Sequence, residues 1–323
     1  MKVAVLSGGR SSEHDVSLRS GESVALGLEA AGHEVVRILI GRDGRWLAGE
    51  EEVDLRAGGG LLGCDVAFPV LHGPFGEDGT VQGLLDCLDV PYAGPSVLAA
   101  AVAMDKLVCK RLLAYHGFPQ VDFCGVEEPD WRERATAMGI PLWVKPSRLG
   151  SSVGISRVAS AESELDEAVE LARRHDPRVI IEAHCEGREV ECSVIGNTVP
   201  EASLPGEIVT PDAEWYDFEA KYSAGGMELA VPAPIGEELV ERVRSLAVAV
   251  YRAIDCRGLA RCDFFVTDGG EVLVNEINTI PGFTETSVFG KLWEASGLAY
   301  PDLCERLVEL AIERHREERT FDF

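Results

Sequence analysis

Three side chains that carry oxygen ligands lie close together in the stretch between residues 261 and 287. Asp263 opens one apolar run, and Glu276 and Asn278 stand two residues apart in the next one, so both point to the same face of a strand. The Asp-Gly pair between the two runs predicts a β-hairpin, which would bring Asp263 beside the other two side chains. Two carboxylates and an amide suit Mg²⁺, which proteins bind through a few such oxygens together with substrate phosphates.

A cation stands next to this set. Arg261 precedes Asp263 by two residues and therefore shares its face, close to where a phosphate would lie. The alternative is an ordinary hairpin with solvated acids on one face. It is disfavoured because the polar pair interrupts an apolar strand whose opposite face keeps Val274 and Ile277.

Two lysines and a loop rich in glycine and serine extend the pattern. Lys106 lies in a predicted helix over residues 97–116, where a surface lysine is the alternative, and Lys145 ends an apolar strand. The loop after that strand, SRLGSSVGISRV, offers N–H groups and hydroxyls that could cover phosphates, with a plain turn as the alternative. It lacks G-x-x-x-x-G-K-[ST], so it is not a P-loop. Lysines and Mg²⁺ around phosphates indicate nucleotide triphosphate chemistry by positioning and charge neutralisation.

The composition limits the class of protein. With 323 residues the chain fits two or three domains, and its net charge of −25 disfavours a nucleic-acid partner or an anionic membrane. The nine scattered cysteines form no C-x-x-C pair, so reduced thiols in a cytoplasmic protein are expected. We expect no signal peptide and no membrane span, because the sequence has no charged start followed by a long apolar run.

The order of the elements predicts an α/β fold. Residues 2–7 form a buried strand, Gly8 and Gly9 end it, and a helix follows, which is the start of a doubly wound parallel sheet. The glycines do not have the spacing G-x-G-x-x-G, so a dinucleotide-dependent dehydrogenase is disfavoured. The polar loop HGPFGEDGTVQG follows another strand, at the edge where such sheets bind ligands.

Three domains are expected. We place the first at residues 1–98, the second at 99–180 and the third at 181–323. The third contains a long irregular segment near 205–234, which we interpret as a lid, and the hairpin at 261–287.

Six sequence blocks in a fixed order carry a family resemblance. They are GGRSSEHDVSLRS at 8–20, HGPFGEDGTVQG at 72–83, MDK at 104–106, VKPSRLGSSVGIS from 144, YDFEAKY at 216–222 and NEINTIPGFTETS at 275–287. The chain resembles the ATP-grasp ligases, and within them the D-alanine–D-alanine ligases, over nearly its full length. Each block alone would be weak, and their combination is specific.

The resemblance implies an N-terminal doubly wound domain followed by two ATP-grasp domains. It implies that ATP drives the joining of two D-alanines through an acyl phosphate, with release of ADP and phosphate, for peptidoglycan precursors of the cell wall. It also implies a cytoplasmic homodimer whose partners are the small molecules D-Ala and ATP.

The resemblance implies roles for residues around the first D-Ala and the lid. Glu13 would hold the ammonium group of that substrate, and His72 would lie near its carboxylate. Lys221 and Tyr222 match the lid of the family, and Tyr222, Ser151 and Glu13 would form a hydrogen-bonded latch.

Further roles implied by the resemblance concern ATP. Lys106 and Lys145 would contact its phosphates, with Ser151 and Ser152 in the loop that covers them. The adenine and ribose contacts match two acids, Glu182 and Glu189 respectively.

The remaining implied roles concern the reacting groups. Arg261 and the N–H of Gly282 would stabilise the oxyanion, a role with clear electrostatic sense. Ser287 would receive the carboxylate of the second D-Ala. Two Mg²⁺ or Mn²⁺ ions would be held by the hairpin triad of Asp263, Glu276 and Asn278.

Alternatives remain open. A related ligase that uses D-lactate or D-serine as second substrate shares most of these blocks, although the pair Lys221-Tyr222 is typical of the dipeptide-forming type. A non-catalytic nucleotide-binding regulator would be expected to lack a metal ligand or Arg261, and neither is missing. Glu285 has no assigned role and stands near the place of the second substrate.

Overall fold

The computed structural model describes residues 1–150, 153–160, 163–209, 228–284 and 286–321. Five residues with an expected role or position near the site lie outside these ranges, namely Ser151, Ser152, Lys221, Tyr222 and Glu285. Residues 210–227 of the segment interpreted as a lid also lie outside them. The α/β architecture is confirmed, with the described strands in three sheets and helices packed against them.

The first sheet contains the predicted parallel strands. Its five described strands run in the order β4-β3-β2-β1-β5, with β1 parallel to both β2 and β5 and with β3 and β4 added antiparallel. In chain order these strands are β1 Lys2–Gly8, β2 Glu34–Ile40, β3 Trp46–Ala48, β4 Glu51–Glu52 and β5 Val66–Pro69. The helices α1 His14–Ala30 and α2 Thr80–Leu88 follow β1 and β5.

Gly8 shows why a glycine ends β1. Its φ is +95°, and a Cβ atom there would lie 2.4 Å from the carbonyl oxygen of Ile40. Only glycine fits such a left-handed position against a neighbouring backbone. The turn sends the chain across the carboxyl end of the sheet, which places Glu13 just before α1.

The predicted helix over residues 97–116 is two helices, α3 Val97–Met104 and α4 Lys106–Tyr115. Asp105 separates them with φ −89° and ψ 94°, and its carboxylate accepts a hydrogen bond from the N–H of Val108 at 3.2 Å. The chain therefore bends at an N-cap that composition alone does not reveal. The bend makes Lys106 the first residue of a new helix.

The second sheet is antiparallel, with the described order β6-β9-β7-β8. Its strands are β6 Phe123–Gly125, β7 Leu142–Pro146, β8 Ser156–Val158 and β9 Val179–Ala183. The accompanying helices are α5 Trp131–Met138 and α6 Ser163–Arg173.

The third sheet is also antiparallel and runs in the order β13-β12-β10-β14-β15, with β11 paired to β10. Its described strands are β10 Arg188–Gly196, β11 Glu201–Ala202, β12 Gly206–Val209, β13 Glu228–Ala230, β14 Gly258–Val266 and β15 Val272–Asn278. The helix α7 Glu237–Ala253 buries Val243 and Val250 against it, as its apolar spacing predicts.

The three-domain division stays a prediction. Each sheet falls within one predicted domain except at one place, where β9 (Val179–Ala183) extends across the predicted boundary at residue 180.

Two more helices, α8 Val288–Ala295 and α9 Tyr300–Glu318, follow the hairpin. The helix α9 packs against the first sheet and α1, because Leu303 and Leu307 belong to the same buried cluster as Val5 and Leu28. The chain thus closes back on its beginning. None of the helices in the described ranges has the length and apolar character needed to cross a membrane.

Candidate active site

The hairpin β14–β15 is confirmed, and it contains a bulge that positions the acids. Asp263 pairs directly with Glu276, but the next residue, Phe264, pairs with Val274, so Asn275 is an extra residue on β15. Strict alternation would place Val274 and Glu276 on one face. The bulge shifts the phase, which lets Val274 and Ile277 both face the core while Glu276 faces the site. The apolar face predicted for Val274 and Ile277 is therefore observed. Without the bulge, residues 274 and 277 would point to opposite faces of the strand.

Arg261 is held by two acids. Its Nε and Nη2 donate to the two carboxylate oxygens of Asp263 at 2.8 and 2.7 Å, and Nε lies 2.9 Å from Oε2 of Glu191. Glu191 stands opposite Asp263 in the register of β10 and β14. The side chain of Arg261 is only 13% exposed, so the guanidinium is fixed in a low-dielectric place, as an electrostatic role requires.

The oxygen donors of the hairpin fit a hard divalent cation. Oδ1 of Asn278 is buried and has no hydrogen-bond partner among the described residues, which is costly unless a ligand satisfies it. In the described part of the chain no three His, Cys, Asp or Glu side chains could hold a metal by themselves. A cation there would therefore rely on the amide and on phosphate oxygens as well as Asp263 and Glu276.

Lys106 is not a surface lysine. Its Nζ lies 3.3 Å from Oε2 of Glu276 and donates to the carbonyl oxygen of Leu149 at 2.9 Å. The side chain is 15% exposed. The first turn of α4 therefore connects the hairpin to the loop that follows β7.

Lys145 is part of a buried group of three charges. Its Nζ lies 2.6 Å from Oε2 of Glu182, and Oε1 of the same carboxylate lies 2.8 Å from Nζ of Lys110. Burial would raise the pKa of Glu182, but the two lysines outweigh it and lower the pKa to about 2. Burial likewise lowers the pKa of Lys145 and Glu182 raises it, with a net increase. Glu182 is thus an anion that orders two cations.

The larger cavity lies between the second and third sheets and has a volume of about 440 Å³. Trp143 and His184 form part of its wall, and Nε1 of Trp143 donates to Nδ1 of His184 at 3.1 Å. Many of the predicted ATP-binding and metal residues line it, namely Lys106, Lys145, Glu182, Glu189, Asp263 and Glu276. A cavity lined by aromatic and apolar side chains together with cations suits a nucleotide.

A smaller cavity of about 80 Å³ lies between the first sheet and the hairpin. Glu13, His72 and Gly282 line it, together with Glu77. Four residues line both cavities, namely Lys106, Gly150, Arg261 and Glu276. The two spaces therefore meet at the cations and the carboxylate of the hairpin.

His72 is fixed on both sides of its ring. Nδ1 lies 3.1 Å from the carbonyl oxygen of Ile280 and 3.5 Å from Oε1 of Glu77, and Nε2 lies 3.1 Å from Oγ of Ser20. Both neighbours of Nδ1 are acceptors, so Nδ1 carries the proton. Burial lowers the pKa of His72. The hydrogen bond and the charge of Glu77 act in the opposite direction, and the net shift of the pKa of His72 is upward. In Glu77, by contrast, burial raises the pKa, and the net shift is upward.

Glu13 approaches the loop after β7. Its Oε2 would lie 2.8 Å from a Cβ at Gly73 and 3.6 Å from a Cβ at Gly150. Glycines at these two positions let the carboxylate lie close to both backbones. Gly150 directly precedes Ser151, the predicted latch partner, whose own position lies outside the described residues.

Gly282 and Ser287 are neighbours at the start of α8. A Cβ at Gly282 would lie 2.8 Å from Oγ of Ser287, and the same Oγ accepts a hydrogen bond from the N–H of Thr284 at 2.9 Å. Ser287 is the N-cap of α8, without a side-chain bond to the helix. Its hydroxyl thus faces the loop, beside the smaller cavity.

Three charged residues in or beside the site were not predicted from the sequence, namely Lys110, Glu77 and Glu191. Lys110 stands one helical turn after Lys106, which is a signal for a shared face. Glu77 lies in the same loop as His72, and Glu191 shares a strand face with Glu189. Each was detectable as a neighbour, but only the fold shows which partner it meets.

Comparisons with known proteins cover nearly the whole chain. Family models described as D-ala D-ala ligase C-terminus and D-ala D-ala ligase N-terminus match residues 112–309 and residues 2–61 and 56–95. The chain is 45% identical to the D-alanine–D-alanine ligase of Solibacter usitatus, over 100% of this chain and 99% of the relative. It is 47% identical to that of Deinococcus radiodurans, over 97% of this chain and 98% of the relative.

Solved structures give the same result. The D-alanine–D-alanine ligase of Coxiella burnetii superposes with a TM-score of 0.89 at 35% identity, over 99% of this chain and 96% of that one. A D-Ala:D-Ser ligase from Enterococcus faecalis superposes with a TM-score of 0.85 at 31% identity, over 96% of this chain and 99% of that one.

Proposed function

The chain belongs to the D-alanine–D-alanine ligase family, and on that premise we propose that it joins two D-alanines with ATP, releasing ADP and phosphate. One observation carries the proposal. A nucleotide-sized cavity that contains Lys106 and Lys145 and a small cavity that contains Glu13 share a wall made by Lys106, Gly150, Arg261 and Glu276. A phosphate at the end of the first cavity would therefore reach a carboxylate in the second.

The first step forms an acyl phosphate. The carboxylate of the first D-Ala attacks the γ-phosphate of ATP, and ADP leaves. Glu13 binds the ammonium group of this substrate, and His72, whose ring is held between Ile280 and Ser20, lies near its carboxylate. Lys106 and Lys145 orient the phosphates, and we assign the adenine contact to Glu182 with the backbone just after it, and the ribose contact to Glu189.

The second step forms the peptide bond. The amine of the second D-Ala attacks the acyl carbonyl, and the tetrahedral intermediate collapses with loss of phosphate. Arg261 and the N–H of Gly282 stabilise the oxyanion, and Ser287 receives the carboxylate of the second substrate. The short distance between Gly282 and Ser287 supports placing both roles together.

The orphaned oxygen of Asn278 supports a metal role for the hairpin. Asp263, Glu276 and Asn278 would hold two Mg²⁺ or Mn²⁺ ions, which when bound neutralise charge on the phosphates. Arg261 is then the neighbouring cation supplied by the protein itself.

Three further parts of the proposal rest mainly on membership of the family. Lys221 and Tyr222 act in the lid, and Tyr222 closes a latch with Ser151 and Glu13, for which the approach of Glu13 to Gly150 gives support. The enzyme works as a cytoplasmic homodimer. Its product serves peptidoglycan synthesis.

Phosphate release from ATP and Mg²⁺ tests the function. D-Ala, L-Ala, D-Ser and D-lactate are each offered alone, and D-Ala is also paired with D-Ser or D-lactate. We expect turnover that requires D-Ala and gives D-Ala–D-Ala by mass spectrometry. If a mixed product forms in preference to D-Ala–D-Ala, the second substrate is D-Ser or D-lactate and not D-Ala. If ATP binds but no turnover depends on D-Ala, the D-Ala assignment is rejected.

A further inference from the structure

Lys110 is a buried lysine next to the site but outside its walls. It lies on α4 one turn after Lys106, and it is 3% exposed. Lys106, Lys145 and Glu182 line the larger cavity, whereas Lys110 is absent from its lining. Within the described residues its Nζ has one ion-pair partner, Glu182, at 2.8 Å.

Glu182 holds two lysines at once. Its Oε1 faces Lys110, and its Oε2 lies 2.6 Å from Nζ of Lys145. One carboxylate with two ammonium groups carries a net charge of +1. One of the two lysines is therefore not needed to neutralise Glu182, and Lys145 is the one that reaches the cavity.

A phosphate entering the cavity would attract Lys145 away from Glu182. If Lys145 were the sole partner, its departure would leave a carboxylate that is 3% exposed without a counter-charge. Such a buried unpaired ion costs several kcal/mol. With Lys110 on the other oxygen, Glu182 stays neutralised whichever way Lys145 turns.

We propose that Lys110 is a positioning residue for nucleotide binding, which keeps Glu182 neutralised so that Lys145 can exchange it for a phosphate oxygen. This inference rests on the proposed function only in taking ATP as the occupant of the larger cavity. It assigns Lys110 to a contact with Glu182 and not with the ligand.

The test measures binding of a non-hydrolysable ATP analogue, AMP-PNP with Mg²⁺, by calorimetry in the absence of D-Ala. We expect Lys110→Met to raise the Kd roughly 10-fold, the loss of about one charge-assisted contact. The matched control is Arg111→Met, which removes a cation from the next residue of the same helix. Arg111 is an exposed partner of Glu127 and Glu128, and its variant should bind AMP-PNP within about twofold of the wild type.

The double variant separates positioning from simple loss of packing. In Glu182→Gln the group to be neutralised is gone, so adding Lys110→Met should leave the Kd of that variant unchanged within about twofold. An equal Kd increase from Lys110→Met in both backgrounds would overturn the proposal, and so would an unchanged Kd in the single variant. If Lys110→Met alone does not fold, Lys110→Gln, which also removes the charge, replaces it in both backgrounds. Because no D-Ala is present, an error in the assigned substrate leaves this result intact.

Discussion

Glu182 and Glu77 are carboxyl groups in the walls of neighbouring cavities, and their pKa values shift in opposite directions. Burial raises the pKa of Glu182, but Lys110 and Lys145 lower it to about 2. Burial raises the pKa of Glu77 as well, and there the nearby Glu13 adds to the increase while His72 offsets only part of it. Burial acts in the same direction on both groups, so the neighbouring charges account for the difference between their pKa shifts.

The comparison shows how the two cavities are matched to different ligands. The larger one presents Lys106 and Lys145 to its occupant, as a triphosphate requires, and Glu182 holds Lys145. The smaller one places Glu13 and Glu77 toward its occupant, as the ammonium group of an amino acid requires. Loss of one carboxylate should therefore have unlike consequences in the two places.

The largest effect is expected for the stability of Glu182→Gln. Two buried lysines lose their counter-charge, and removing one partner of a buried ion pair costs about 3–5 kcal/mol. Urea unfolding at neutral pH measures the change. The exposed Glu186→Gln, four residues on, should stay within about 0.5 kcal/mol of the wild type. Equal stability of the two variants would mean that the lysines find other partners.

A similar effect on catalysis is expected where the cavities meet. Arg261→Ala should lower kcat by about 10²–10³-fold with little change in the KM for ATP, because one oxyanion donor is lost. Steady-state kinetics with D-Ala at saturation gives both constants. Arg261→Lys keeps the charge but loses the bidentate contact to Asp263, so its kcat should lie between those of the wild type and Arg261→Ala. An unchanged kcat would remove Arg261 from the chemical step.

A moderate effect on substrate affinity is expected for Glu13→Gln. Losing a charge-assisted contact worth about 1.5–3 kcal/mol should raise the KM for the first D-Ala about 10- to 150-fold and leave that for ATP unchanged. The control is Asp15→Asn, whose exposed side chain pairs with Arg42. Parallel increases in both KM values for Glu13→Gln would show that the carboxylate does not discriminate between the cavities.

A smaller effect concerns acid pH. The folded pKa of Glu182 lies below the ordinary value of 4.5, so its stabilisation is present above pH 4.5 and is lost as pH falls toward 2. The difference in unfolding free energy between wild type and Glu182→Gln should therefore shrink by roughly 1 kcal/mol between about pH 6 and about pH 3.5. Urea titrations across this range measure it, and a difference that grows toward acid would contradict the assignment.

The smallest effect has the opposite sign. The pKa of Glu77 is raised above 4.5 and that of His72 above 6.5, so stabilisation from both is present at low pH and is lost as pH rises through the folded values. The wild type should lose stability relative to Glu77→Gln as the pH rises from about 5 to about 8. Thermal unfolding of the wild type and of Glu77→Gln at several pH values measures this difference. If the wild type instead loses stability toward acid pH, folding lowers the pKa of Glu77, as it does that of Glu182.

Much of the site could be predicted from sequence because short spacings set it. Asp263, Glu276 and Arg261 share a face through the period of two in a hairpin, and the structure places them together. The order of β1, α1 and β2 follows from local apolar patterns in the same way. Contacts within one element, or between elements joined by a tight turn, are specified locally.

The missed features depend on partners far away in the chain. Lys110 meets Glu182 across 72 residues of sequence, and Glu191 meets Arg261 across 70. The break at Asp105 is stabilised by the hydroxyl of Ser147, which donates to the Asp105 carboxylate at 2.6 Å. Such tertiary contacts override local propensity, which alone favours one continuous helix over 97–116.

The packing of α9 on the first sheet has a consequence for synthesis on the ribosome. The strands that bury Val5 and Phe68 are made more than two hundred residues before Leu303 and Leu307, which complete the same core. At roughly 5–20 residues per second, the nascent chain waits on the order of 10–50 s for that helix. During this interval an apolar face stays uncovered, so chaperone contact with the emerging chain should concentrate there and end when Tyr300–Glu318 leaves the exit tunnel.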